Sequence, residues 1–201
     1  MVVQHEHWIS IEEYHDIERT SEIKYEYSDG HIYAMSGGTS QHSQIATNML
    51  IALTTHLRGK DCRPFNSDMK VLPLQALSDE NTSYYPDVTV TCNPEDYQHD
   101  SKAIRSPRLV IEVLSPSTAY RDRSEKLRVY QACPSIKEYL MISSHHQEIE
   151  VYYRENPDTW VFKRYTAQQA VTLASVGLTM PISEIYASTD VPPLASVSSA
   201  D

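Results

Sequence analysis

The stretch RLVIEVLSPSTAYRDRSEKLRVY, residues 108–130, decides how the fold is read. Its first part, Leu109 to Leu114, is an unbroken run of strand length and apolar but for one position, the pattern of a strand buried on both faces. Ser115-Pro116-Ser117-Thr118 turns the chain, and a helix is expected over 121–132, with Leu127 and Tyr130 among its inward positions and Pro134 as its stop. A further strand is expected at 138–142. Glu112 stands in the middle of the first strand. An ionised carboxylate in apolar surroundings costs on the order of several kcal/mol unless it is paired, hydrogen-bonded or bound to a cation.

Working outward, Ser10-Ile11-Glu12-Glu13 fits a capping box opening a short helix that runs to about residue 19. The β-prone runs 23–27 and 31–35 flank Ser28-Asp29-Gly30, where Asp-Gly predicts a hairpin turn. Thr39 or Ser40 can cap a second helix, whose Ile45, Met49, Leu50, Leu53 and Leu57 follow helical spacing up to a stop at Gly59. Strands are expected over 63–72 and 84–92, a polar surface connection over 94–107, and a hairpin from 148–153 and 160–165. The Ser-, Ala- and Pro-rich residues 188–201 read as a flexible C-terminal tail after a single domain over 1–187. The class is α/β: a mixed β-sheet flanked by helices, with added β-hairpins.

The chain has 201 residues, 40% hydrophobic and 22% charged, enough to bury one sizeable core. No run approaches the length of a membrane span and the first ten residues do not read as a leader, so a cytoplasmic protein is expected. Cys62, Cys92 and Cys133 are odd in number and far apart, which predicts reduced structural thiols. Seventeen Lys and Arg against 27 Asp and Glu give a net charge of -10. That argues against holding nucleic acid by broad phosphate neutralisation, although a carboxylate cluster built to hold a divalent metal itself lowers the total.

The chemistry centres on Asp87, in Pro86-Asp87-Val88-Thr89-Val90, and Glu112. Two carboxylates arriving from adjacent strands are hard oxygen ligands, suited to Mg²⁺ or Mn²⁺. Such an ion supplies what phosphodiester hydrolysis needs, a polarised phosphate oxygen and a more acidic water. Lys126, near the start of the following helix, is placed to point back at the strand end. Each residue has a plainer reading: Asp87 as a turn residue opening a strand, Glu112 as the buried partner of Arg108 or Arg123, and Lys126 as a solvated residue of a mixed-charge helix start. The seryl turn at 115–118 lacks a G-x-S-x-G elbow and reads as a cap.

Asp87 followed by Glu112 in an apolar strand resembles the PD-(D/E)XK nuclease pattern. KYEYSDGHIYAMSGGTSQHSQIATNML, FNSDMKVLP, YYPDVTVTC, LVIEVLSPST and DRSEKLRVYQ, then KEYLMI and IEVYYRE, occur in an order similar to that of the Uma-two family of restriction endonucleases, over about residues 10–186. The resemblance implies a restriction-endonuclease-like core, a divalent metal held by Asp87 and Glu112, and endonucleolytic cleavage of DNA. It also implies a catalytic lysine at Lys126, because Leu114 occupies the place two residues after the acid where the short pattern has Lys. Glu26 matches the acid of a Tyr-Glu-x-x-Asp-Gly stretch and would complete the metal site, with an exposed strand carboxylate as the rival reading. Asp68 reads as a further ligand or a turn residue, His42 as a phosphate contact or a cap, and Tyr130 as core. A non-catalytic protein of the same fold that binds nucleic acid or a protein partner, and a hydrolase of small phosphoesters, are the alternative functions. The 14 tyrosines and added hairpins offer contact surface for a homodimer.

Overall fold

The computed structural model describes residues 8–35, 37–73, 82–98 and 101–194. The helix α1 spans Ile11–Thr20 and opens with the expected capping box, in which Ser10 and Glu13 satisfy each other's backbone amides. The strands β1 (Tyr25–Ser28) and β2 (His31–Ala34) form the expected hairpin, turning through Asp29 and Gly30, both at positive φ. The helix α2 (Ser40–Leu57) is capped by Thr39 and buries Ile45, Met49, Leu53 and Leu57, and Gly59 follows at φ 78°. The strand expected over 63–72 is two short ones, β3 (Arg63–Asn66) and β4 (Lys70–Val71). A turn separates them at Ser67 and Asp68, where the Asn66 side chain accepts the Asp68 N–H.

The strand β5 covers Thr82–Ser83, and β6 (Val88–Thr91) begins only after Asp87. The connection expected to be polar surface contains a 3₁₀ turn at Pro94–Tyr97 and β7 at Ala103–Ile104. The strand β8 runs Pro107–Leu114, all but Arg108 buried. The next helix starts two residues earlier than expected. It is α-helical over Ala119–Arg121 (α3), π-helical over Asp122–Lys126 and α-helical again over Leu127–Ala132 (α4). The strands β9 (Glu138–Ser143), β10 (Glu148–Asn156) and β11 (Thr159–Thr166) follow, the last two as the expected hairpin. A further hairpin of β12 (Ala170–Leu173) and β13 (Leu178–Pro181) and the short α5 (Ile182–Ile185) were not legible, because the four-residue runs lack the Asp-Gly punctuation that marks the β1–β2 turn.

The main sheet has the order β11-β10-β9-β8-β6-β3, with only β8 and β9 parallel. On one face α2, β12, β13 and α5 cover Val88, Val90, Leu109, Ile111, Val113, Leu140 and Ile142. On the other, α4 packs Val129 and Tyr130 against Val110, Leu114, Tyr139 and Met141. Strand alternation therefore turns Glu112 toward α4. The antiparallel register Val88↔Ile111 brings Asp87 opposite Glu112 one step further on. Tyr14, Tyr27, Ile9 and Ile32 form a separate small core beneath the β2-β1-β5 sheet, which sets β1 beside the main one.

Two further expectations fail. Cys62 and Cys92 form a disulfide, and Cys133 is free and buried. The register Arg63↔Thr91 explains the pairing, since the next positions outward are the two cysteines, 4.0 Å apart at Cα. Their spacing of 30 residues carried no sign of this. The tail expected from Ser188 is docked instead: Val191 is buried, and Gln147 donates its backbone N–H to Pro192 O and its side-chain amide to Val191 O. Residues 195–201 lie outside the described residues. No helix among the described residues is long and apolar enough to cross a membrane.

Candidate active site

Lys126 meets three carboxylates. Its Nζ lies 2.8 Å from Glu112 Oε1, 2.9 Å from Glu26 Oε1 and 3.5 Å from Asp122 Oδ1, and the lysine is 5% exposed. The three acids come from β8, β1 and the π-helical turn, so one cation ties three elements together. Widened turns of this kind recur at functional sites. Tyr130, one turn after Lys126, donates its hydroxyl to the same Glu112 oxygen at 3.3 Å.

Arg121 forms a second cationic anchor. It donates to Glu26 Oε2 and Glu125 Oε1, and its guanidinium lies 3.5 Å from the centre of the Tyr33 ring. Glu125 also accepts the Tyr84 hydroxyl at 3.1 Å. The helix start 121–126, whose mixed charge suggests a solvated face, is in fact turned inward at Arg121, Asp122 and Lys126. The sequence signal for this was spacing alone: Asp122, Lys126, Val129 and Tyr130 share one helical face, and all four are buried.

Asp87 stands beside this cluster. Its Oδ2 accepts the Val113 N–H at 2.7 Å and its Oδ1 accepts from His42 Nε2 at 2.8 Å. Asp87, Glu112, Glu26, His42, Asp122 and Lys126 all line one cavity of about 100 Å³. His42 and Asp87 also line an adjoining cavity of about 590 Å³ bordered by Met35, Ala46, Leu50 and Asn66. His42 is thus a site residue, not the cap or surface group that its position at a helix start suggests. Asp68 is not drawn in; it pairs with Lys24 on the surface. Neither arginine considered for Glu112 reaches it, as Arg123 pairs with Glu150 and Arg108 donates to Ser175 O.

The electrostatics follow from burial and an excess of acid. Burial pushes the Glu112 carboxyl up against the pull of Lys126, and Asp122, Asp87 and Glu26 push it further, to about 8. Burial likewise raises Asp122. Burial also opposes charge on Glu26, but Lys126 and Arg121 overcome it and hold that carboxyl below its ordinary value. Burial would lower Lys126, yet Glu112, Glu26 and Asp122 hold it well above the ordinary lysine range. At His42 the Asp87 hydrogen bond and charge outweigh burial and raise the imidazole.

A divalent cation fits this donor set. Among the described residues no three His, Cys, Asp or Glu side chains converge as a ready-made metal cage. Mg²⁺ does not need one, since it is commonly held by one or two carboxylates with water and substrate phosphate completing the shell. Asp87 and Glu112 offer hard oxygens to one small cavity, and a cation there would favour the ionised Glu112 that burial and the neighbouring acids oppose. Glu26, expected as a third ligand, lines the same cavity and, like Asp87, has both oxygens hydrogen-bonded: Oε1 by Lys126 and the Tyr85 N–H, Oε2 by Arg121. In this arrangement it anchors the two cations.

A helix-flanked mixed sheet with acids gathered where β6 and β8 meet defines a restriction-endonuclease-like fold. The crystal structure of "a putative nuclease belonging to DUF820" from Anabaena variabilis shares that fold with a TM-score of 0.70 at 17% identity, over 89% of this chain and 97% of that one. The chain belongs to the Uma2 family, described as "Putative restriction endonuclease", whose profile matches residues 11–183. It is also 40% identical to the uncharacterized protein slr1290 of Synechocystis, over 89% of this chain and 91% of the relative. A second uncharacterized Synechocystis protein, sll1609, is 26% identical over 85% and 94% of the respective chains.

Proposed function

We propose that this protein is a divalent-metal-dependent endonuclease that hydrolyses phosphodiesters in DNA. The observation that carries the reading is the convergence of Asp87, Glu112 and Lys126 on one cavity at the junction of β6 and β8, in a chain of this family. Asp87 and Glu112 would hold Mg²⁺ or Mn²⁺, which when bound supplies charge neutralisation at the phosphate and a lowered pKa for water. Lys126 fixes Glu112 in place, and its ammonium offsets negative charge that builds at the scissile group. Arg121 and Glu26 hold Lys126 and the helix start against β1, so the reacting groups sit on rigid elements.

The test is incubation of supercoiled plasmid with the purified protein in Mg²⁺ or Mn²⁺, in parallel with Glu112→Ala and Asp87→Ala. Nicking or linearisation by wild type and background levels in both variants are expected. Equal cleavage by all three would assign the activity to a contaminant. No cleavage by wild type, together with binding of an oligonucleotide that neither variant disturbs, would favour a non-catalytic member of the fold.

A further inference from the structure

Among the described residues the His42 ring makes one hydrogen bond, to Asp87. A carboxylate can only accept, so Nε2 must be the donor. The other ring nitrogen, Nδ1, is buried and has no partner among the described residues. A histidine kept for packing would be expected to satisfy both nitrogens, as buried polar groups generally do. The ring is also carefully seated. Thr39 Oγ1 caps the His42 N–H at 3.3 Å, and the imidazole lies flush on Gly38, where an added Cβ would stand 2.8 Å from both Cγ and Cδ2. Gly38 does not have a positive φ, so room for the ring is what the position requires of it.

Asp87 is consequently gripped from two sides. The Val113 N–H holds Oδ2 to the strand that carries Glu112, and His42 holds Oδ1 to the first turn of α2. Hydrogen bonds on both oxygens restrain rotation of the carboxylate plane, and with it the direction its remaining lone pairs take relative to Glu112. We infer that His42 is a positioning residue for the cation site, acting through Asp87, with Gly38 as the seat that sets the height of its ring. The inference rests on the metal-binding reading above. Groups that orient a ligating side chain typically alter metal affinity or activity by about 10- to 100-fold when removed.

Calorimetric titration of the full chain with Mn²⁺ tests this without reference to cleavage. The set is wild type, His42→Ala, His42→Gln, Gly38→Ala and Asp87→Ala, each checked for folding by circular dichroism. His42→Ala should bind Mn²⁺ about 10- to 100-fold more weakly than wild type. His42→Gln, which keeps an N–H at similar reach, should recover most of the loss. Gly38→Ala retains the imidazole but lifts it, and should fall between wild type and His42→Ala; it decides the matter if the histidine variants do not fold. Wild-type affinity in His42→Ala, with binding lost in Asp87→Ala, would overturn the positioning role and leave the metal site standing. So would equally weak binding in His42→Gln and His42→Ala, since the hydrogen bond would then not be the cause. Absence of Mn²⁺ binding by the wild type at millimolar concentration would overturn both readings.

Discussion

Lys126 Nζ and Glu112 Oε1 are 2.8 Å apart with both side chains buried, although 14 positions separate them in the chain. This contact answers the difficulty of a carboxylate in a central strand, and it sets two requirements against each other. As a structural pair it must be complete. As part of a site it must leave Glu112 able to accept a harder cation.

Lys126→Ala should therefore damage stability as well as activity. It leaves Glu26, Glu112 and Asp122 buried around a missing charge, and breaking a buried pair by removing one partner costs about 3–5 kcal/mol. Urea denaturation should show that loss. A change under about 1 kcal/mol would mean that water readily replaces the ammonium.

Glu112→Gln should do the opposite for the metal-free protein. Because the folded-state pKa is raised from 4.5 to about 8, the native state holds the proton more tightly than the unfolded chain, and stability falls as pH rises through that window. Gln carries no charge to desolvate, and Lys126 keeps Glu26 and Asp122 as partners. The variant's Tm advantage should grow from pH 5 to pH 8, at about 2–4 °C per kcal/mol, while Mn²⁺ binding is lost. A constant Tm difference across that range would contradict the raised pKa.

Cation affinity should climb with pH for the same reason. A carboxylate must lose its proton to ligate, so Mn²⁺ binding below pH 8 should release close to one proton and weaken about tenfold per pH unit as acidity increases. Titrations in buffers of different ionisation enthalpy measure the proton count directly. Identical affinity at pH 6 and pH 8 would show that Glu112 is not the titrating ligand.

Arg121→Lys should fail to substitute. The guanidinium spans Glu26 and Glu125 while stacking on Tyr33, and an ammonium cannot reach both carboxylates and cover the ring. A loss of about 1–3 kcal/mol in denaturant unfolding is expected, against near-neutrality if the residue were a surface charge.

Reduction of the Cys62–Cys92 bond, or Cys62→Ser, should cost about 3–4 kcal/mol, given the 30 residues it closes. Thermal melts with and without reductant would measure it. The β3–β6 ladder beside Asp87 lies at the other end of the same pairing, so reduction should loosen the site's edge without dissolving its centre.

Local chemistry was sufficient for the elements with strong punctuation. The capping box at Ser10, the Asp29-Gly30 turn, the apolar spacing of α2 and the stop before Pro134 each act over a few residues and appear where expected. Glu112 stood out because an acid inside an apolar strand is costly, whereas Asp87 and Lys126, each with a plainer reading of its own, gained their weight from the resemblance to the nuclease family. Arg121, Asp122 and His42 did not, since a mixed-charge helix start and a helix-start histidine look alike whether they face solvent or core. Only the packing of β1 against the 119–132 helix turns Glu26 into an anchor for two cations, and only the antiparallel register of β3 with β6 joins Cys62 to Cys92. Those outcomes depend on distances between residues from 30 to 100 positions apart. Propensity and periodicity describe how a segment is shaped, but which segments meet is set by burying the whole core at once.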